Sequence, residues 1–267
     1  MSFRKYWVCF KSEWQQFLEY RVDLLIYTLS GAVIPLVALA VWLAVSSSGA
    51  NLSFSQAELV IYFLMAMWVN IFVSAWGAYF IGEDIKTGVF SRYLVKPFSL
   101  FDNNFINNIS EKSFKLIIAS MLMLFIGYLL SRAIPLEVNI SFLSFSFFTI
   151  SLFFAATIYF FMDMIIGLAT FWVHDNEFLR YFSNTLRDFL SGRVIPVLFL
   201  PGWLYTISFL SPFRYVLSFP IEVLLNKLGL TDLLIGFAIQ VLWAISMIFF
   251  YKLLYQKGIR LYQGFGS

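Results

Sequence analysis

The chain has 267 residues, of which 61% are hydrophobic and only 12% charged, and its mean hydropathy is +0.82. Soluble domains carry about 25% charged residues, so this composition excludes an ordinary soluble globule. A net charge of +3, with the basic residues scattered at the ends of apolar runs, excludes a nucleic-acid-binding stripe, while one cysteine (Cys9) and one histidine (His174) exclude an internal disulfide, Cys-based zinc and a His cluster.

Phe3, Tyr6, Trp7, Phe10, Trp14, Phe17 and Leu18 recur at helical spacing, and Arg4, Lys5, Lys11, Glu13, Gln15, Gln16 and Glu19 fill the other face. Residues 1–20 therefore predict an amphipathic helix lying in a membrane interface. The alternative is a helix packed on a soluble domain, and the chain offers none. The apolar run that follows is too long for a signal-peptide h-region. Ala44-Val45-Ser46 is only a faint cleavage-site lookalike, so the first span is expected to be retained.

No charge interrupts Leu24 to Ala57. About 20 apolar residues suffice to cross a bilayer, which places a first span near Leu24–Val45 and a polar exit loop over Ser46–Ala57. A second span is expected over Leu59–Ile81, a third near Leu116–Leu130 (beginning somewhat earlier), a fourth over Phe142–Trp172, a fifth over Phe182–Leu200 and a sixth over Leu233–Leu254. Pro201–Leu230 is apolar but broken by Pro201, Pro212 and Pro220, and one continuous helix is excluded there.

Between the second and third spans stands the densest charge in the chain, Glu83, Asp84, Lys86, Arg92 and Lys96, punctuated by Gly88 and ended by Lys96-Pro97. Lys and Arg orient membrane proteins by accumulating on the cytoplasmic side. One side collects Arg4, Lys5, Lys11, Arg21, Lys86, Arg92, Lys96, Lys112, Lys115, Arg180, Arg187, Lys252, Lys257 and Arg260. The other holds Arg132, Arg214 and Lys227, and Arg193 falls within a span. Both termini and the 83–99 loop are therefore expected in the cytoplasm, with an even number of spans. There is no internal repeat. Asn51-Leu52-Ser53, Asn108-Ile109-Ser110 and Asn139-Ile140-Ser141 match the short glycosylation pattern, which is common by chance, and receive no role.

Catalytic signatures are missing. The nearest approach to a phosphate-binding loop runs from Gly77 to Gly82 and continues into Glu83, whose carboxylate would repel phosphate. No nucleophile elbow and no HExxH zinc motif is present. The chain is not expected to be an enzyme by itself. Two charges lie at membrane depth, where each costs on the order of 2.5–3.5 kcal/mol and tends to be paired or functional: Asp163 in the fourth span and Arg193 in the fifth. They are equally far from a turn near Phe178 and can meet as an interhelical pair. The alternative is that Arg193 snorkels to an interface while Asp163 faces water or another partner. A proton relay through Asp163 finds only Asn70 and Gln240 as strong polar groups in the other spans.

Two stretches resemble the type-2 ABC transporter permeases, in their six-span, uncharacterised permease branch. The first is the 83–99 island, through Asp84, Ile85, Lys86, Thr87, Gly88, Ser91, Arg92, Tyr93, Leu94, Lys96 and Pro97. The second precedes the last span, through Ser191, Gly192, Ile195, Pro196, Pro201, Trp203, Leu204, Pro212, Phe213, Tyr215, Pro220 and Leu224. Val89 departs from a frequently acidic position, Arg193 from an apolar one, and Asn226 from a common Gly. The resemblance implies an exporter subunit in a bacterial inner membrane that pairs with itself or a sister permease. It also implies two cytoplasmic ATPase copies carrying ATP and Mg, with no cofactor or metal on this chain. In the family the loop after the second span docks in the ATPase, and the Pro-rich block forms short re-entrant helices on the outer side.

On the residues alone, a docking helix and an ordinary solvated connector stand equally open, and the resemblance favours docking. Val89, Phe90, Tyr93 and Leu94 can form an apolar edge with Arg92 and Lys96 as charged guides, and Glu83, Asp84, Lys86, Gly88 and Pro97 complete the loop. The expected fold is thus all-α: one transmembrane domain over 1–267, with an interface helix (1–20), six spans, a coupling loop (83–99) and re-entrant helices between the fifth and sixth spans (201–230), marked by Pro196, Pro201, Trp203, Pro212, Phe213, Tyr215 and Pro220. Rival functions are a non-transporting membrane assembly or immunity protein and a proton-coupled carrier.

Overall fold

The computed structural model describes residues 3–95 and 98–262, and every regular element among them is helical. The amphipathic segment forms α1 (Phe3–Glu19) and turns at Tyr20 into α2 (Arg21–Ser47). α3 (Gln56–Val73) begins on a capping box in which Ser55 and Glu58 satisfy each other's backbone N–H, and α4 (Gly77–Lys86) follows after a break at 74–76. Gly88, at φ 76°, reverses the chain into a 3₁₀ turn (Val89–Ser91) and the single-turn α5 (Arg92–Val95). A second capping box, Ser99 with Asp102, starts α6 (Leu100–Ser131), and Ser141 caps α7 (Phe142–Leu168), which a 3₁₀ turn extends to Phe171.

The next elements are α8 (Glu177–Leu190), a 3₁₀ turn (Val197–Phe199) and the three short helices α9 (Gly202–Leu210), α10 (Pro212–Val216) and α11 (Ser218–Leu224). α12 (Leu230–Leu261) closes the described chain. The prolines sit where their missing N–H costs least: Pro201 caps α9, Pro212 opens α10 and Pro220 lies in the first turn of α11. Pro196 precedes the 3₁₀ turn. α7 is the central helix, packed by α3, α4, α10, α11 and α12. It approaches α4 closely at Gly167, where a Cβ would stand 2.8 Å from the Gly77 carbonyl oxygen.

Among the described residues five helical stretches are long and apolar enough to cross a membrane: Arg21–Ser47, Gln56–Lys86 (α3 and α4 together), Leu100–Ser131, Phe142–Phe171 and Leu230–Leu261. The expected fifth span at 182–200 does not form as one helix. α8 is 14 residues long, about 21 Å at 1.5 Å per residue and short of a ~30 Å hydrocarbon core. It carries Glu177, Arg180, Arg187 and Asp188, and ends before Gly192, whose φ of 88° cannot continue a helix. The third span, by contrast, is longer than its apolar core because the polar stretch from Leu100 is helical too. Against that polar half lies α1: Tyr6 donates to Asp102 Oδ1 (2.7 Å), Asn107 donates to Glu13 Oε2 (2.9 Å) and Trp14 meets Phe114 edge-on.

Candidate functional site

Two features stand out, an elbow at 83–95 and a polar cavity behind it. The elbow is pinned from within. The Tyr93 hydroxyl donates to Asp84 Oδ2 (2.7 Å), and Arg92 bridges the same oxygen at 3.0 Å while lying over the Tyr93 ring. Burial, aided by the Asp84 carboxylate, pushes the Tyr93 phenol up to about 12. Lys86 joins Glu83 (3.2 Å) and Asp175 (2.8 Å), holding Asp175 below its ordinary carboxylate value. Tyr262, near the end of the described chain, donates to the Gly88 carbonyl (2.8 Å) and accepts from the Ser91 amide (3.2 Å).

The apolar edge differs from the expected one. Phe90 is fully buried, with its ring against Phe171, Tyr262 and Tyr93. It anchors the elbow to the rest of the chain. Tyr93 also faces inward. The apolar side chains left in the open are Val89 (40% exposed), Leu94 (47%) and Val95 (84%), the last of which the sequence pattern did not single out. Lys96 and Pro97 lie outside the described residues.

The cavity holds about 430 Å³ between α2, the α3–α4 break, α7 and α8, and both Asp163 and Arg193 line it. The two charges have separate partners. Asp163 Oδ2 accepts the Ala78 amide (2.9 Å) at the start of α4, where a helix leaves N–H groups unpaired. The carbonyl on the other side of the break, Ser74, accepts from Asn108 (2.9 Å). Arg193 pairs with Asp188 (2.7 Å) and donates to the Gly31 carbonyl (3.3 Å). Gly31 lies four residues before Pro35, which has no N–H to offer it. An interhelical Asp163–Arg193 pair is thus replaced by two repairs of broken backbone ladders.

The rest of the wall is cationic and aromatic. Lys115 pairs with Glu111 and sits 4.3 Å above Tyr27, whose ring meets Trp76 edge-on at 5.0 Å. Arg180 lies over Tyr79, and Arg187 donates to the Tyr159 hydroxyl. Arg180, Asn184 and Arg187 recur at i, i+4 and i+7, so α8 turns one polar face to the cavity. That spacing was visible in the sequence, but it was masked by the aromatic residues between.

The Pro-rich block is locked by a second group that pattern reading passed over. Arg214 and Glu222, both buried, pair at 2.7 Å, and Ser218 donates to the same carboxylate. Tyr62 donates to the Gly192 carbonyl (2.9 Å), and Gln240 donates to the Tyr215 and Ser151 carbonyls (2.9 and 3.0 Å), tying the block to α3, α7 and α12. Phe213 and Tyr215 are buried in this core, whereas Trp203 is exposed. Among the described residues no group of three or more His, Cys, Asp or Glu is arranged to hold a metal ion.

A comparison with curated proteins gave no match. The model of one protein family, described as ABC-2 family transporter protein, matches residues 26–266. That span runs from the first long apolar helix past the last and contains the elbow, the cavity and the Pro-rich block. The chain therefore belongs to the ABC-2 transporter family, as a multi-pass membrane protein of the permease type.

Proposed function

We propose that the chain is the membrane subunit of an ATP-driven exporter in a bacterial inner membrane. It would act as a permease pair, homo- or heteromeric, with two cytoplasmic ABC ATPase copies docked at the elbow and ATP and Mg bound on those partners. The observation that carries this is the elbow itself. Val89, Leu94 and Val95 project outward from a scaffold pinned by Phe90, Tyr93 and Tyr262. Exposed apolar side chains on a rigid, mixed-charge turn suit a protein groove better than water.

The distribution of Lys and Arg supports placing both termini in the cytoplasm, which needs an even number of crossings. In this reading residues 177–200 make the sixth, as a broken segment. Irregular backbone is tolerated at membrane depth where protein satisfies it. Here Ser208 donates to the Leu190 carbonyl (2.7 Å), the Ser218 amide to the Ser191 carbonyl (3.0 Å) and Trp42 to the Val194 carbonyl (3.0 Å). The block from Pro201 onward then lies on the outer side as re-entrant helices. The test is co-expression with an ABC ATPase encoded beside the chain. Stable co-purification and ATP-dependent efflux are expected. Absence of any ATPase in the purified material, with efflux that survives ATP depletion, would sink the proposal.

A further inference from the structure

The cavity has donors in excess of acceptors. Lys115 and Arg193 are neutralised by Glu111 and Asp188, but Arg180 and Arg187 have no carboxylate within ion-pair distance among the described residues. The Arg187 Nε and the Trp76 indole N–H, both on the cavity wall, are buried without an acceptor. Among the described residues Asp163 is the one carboxylate in the lining, and an oxygen of it is engaged by the α4 amide. A guanidinium has five donors and favours oxyanions that accept two at once. A second cavity of about 430 Å³ shares Tyr27, Trp76, Tyr79 and Lys115 with the first and continues over Phe17, Leu24 and Phe80 beside α1. Glu13 and Asp23, outside any ion pair among the described residues, line that second cavity, so a negative charge is repelled there and drawn to the α8 side.

We infer that the α8 face of the cavity is a binding site for a phosphate-class oxyanion, held by Arg180 and Arg187 with the Trp76 N–H as a third donor. When the anion is the head of an amphiphile, the second cavity takes its apolar body. This deepens the transporter proposal by naming a substrate class, but it is tested on the intact chain without any ATPase. The chain, purified in dodecyl maltoside, is titrated with inorganic phosphate, dodecyl phosphate and dodecyltrimethylammonium, and Trp fluorescence is read against Trp76→Phe. Both phosphates should bind and the cation should not. Dodecyl phosphate binding at least about tenfold tighter than inorganic phosphate assigns an amphiphile, and equal binding assigns a free anion. Arg187→Gln and Arg180→Gln should each weaken phosphate binding about ten- to hundredfold, the loss of one charge-assisted contact. Arg187→Lys should recover part of it, and exposed Arg132→Gln should change nothing. Should Arg187→Gln not purify as one species, the partly buried Arg180 carries the test alone. Equal binding of the cationic surfactant, or wild-type affinity in Arg180→Gln, overturns the site. A chain that binds phosphate but recruits no ATPase keeps the site and loses the transporter; the reverse result loses only the site.

Discussion

Replacing Leu94 and Val95 together by Asp separates docking from folding. Fully burying a Val or Leu side chain contributes about 1.5–3 kcal/mol. With Leu94 at 47% and Val95 at 84% exposure, the area still available for burial against a partner corresponds to roughly 2–4 kcal/mol on that scale, or about 30- to 700-fold in affinity. Two carboxylates set into an apolar contact oppose it further. Since neither side chain is buried within the chain, thermal stability should move little. Phe90→Ala should do the opposite, removing a fully buried ring at about 3–5 kcal/mol of stability. The assay is a pull-down of the ATPase on the detergent-purified chain, paired with thermal unfolding of the chain alone. Normal recovery of ATPase by Leu94→Asp/Val95→Asp would refute docking through this edge. An unchanged unfolding temperature in Phe90→Ala would refute the inward anchoring. Tyr93→Asp is a poor probe of docking, because it also removes the hydroxyl that holds Asp84.

Other consequences follow from the packing. Glu222→Leu should destabilise by about 3–5 kcal/mol by leaving Arg214 buried and unpaired, and Arg214→Met/Glu222→Leu should recover most of it in thermal unfolding; a double variant as weak as the single would count against the pair. Gly192→Ala adds a Cβ 2.4 Å from the Tyr62 hydroxyl at a φ of 88°. It should cost at least ~1–3 kcal/mol in backbone strain, and wild-type stability would contradict the geometry. Arg193→Met should destabilise less in a Pro35→Ala background, where Gly31 regains its helical donor, with a coupling of about 1 kcal/mol in a double-mutant cycle; additivity would remove the proposed repair. The Tyr93 phenol has its folded value raised from 10.0 to about 12. Its contribution to elbow stability is therefore full below pH ~10 and lost as pH rises from about 10 to 12, and Tyr93→Phe should abolish that alkaline loss in hydrogen exchange of the elbow amides.

Some of this was legible in the residues. Long uncharged runs announced the crossing helices because a bilayer leaves no alternative for backbone polar groups. The i, i+3, i+4 aromatics of residues 3–18 predicted α1, and Gly88 with the charges around it marked the elbow. The Pro residues announced a broken block, each of them later found at or near a short helix's start. Less legible was anything that depends on which way a helix faces. The apolar edge of the elbow was assigned by spacing alone, and spacing does not say which side of the turn the chain's own Phe171 and Tyr262 will cover. Likewise Arg187 counted only as one of the basic residues of the cytoplasmic side, not as the second arginine of a polar face.

The sequence by itself determined that the chain lives in a membrane, that it carries no phosphate-binding-loop motif, and that charge concentrates after the second span. Those follow from composition and local pattern. Only the tertiary structure decided the partners of the buried charges. Asp163 serves the amide of Ala78 and Arg193 serves the carbonyl that Pro35 leaves empty, contacts separated by 85 and 162 positions along the chain. A buried charge takes whichever unsatisfied group packing brings nearest, and an orphaned N–H or C=O exists only once helices have broken and come together.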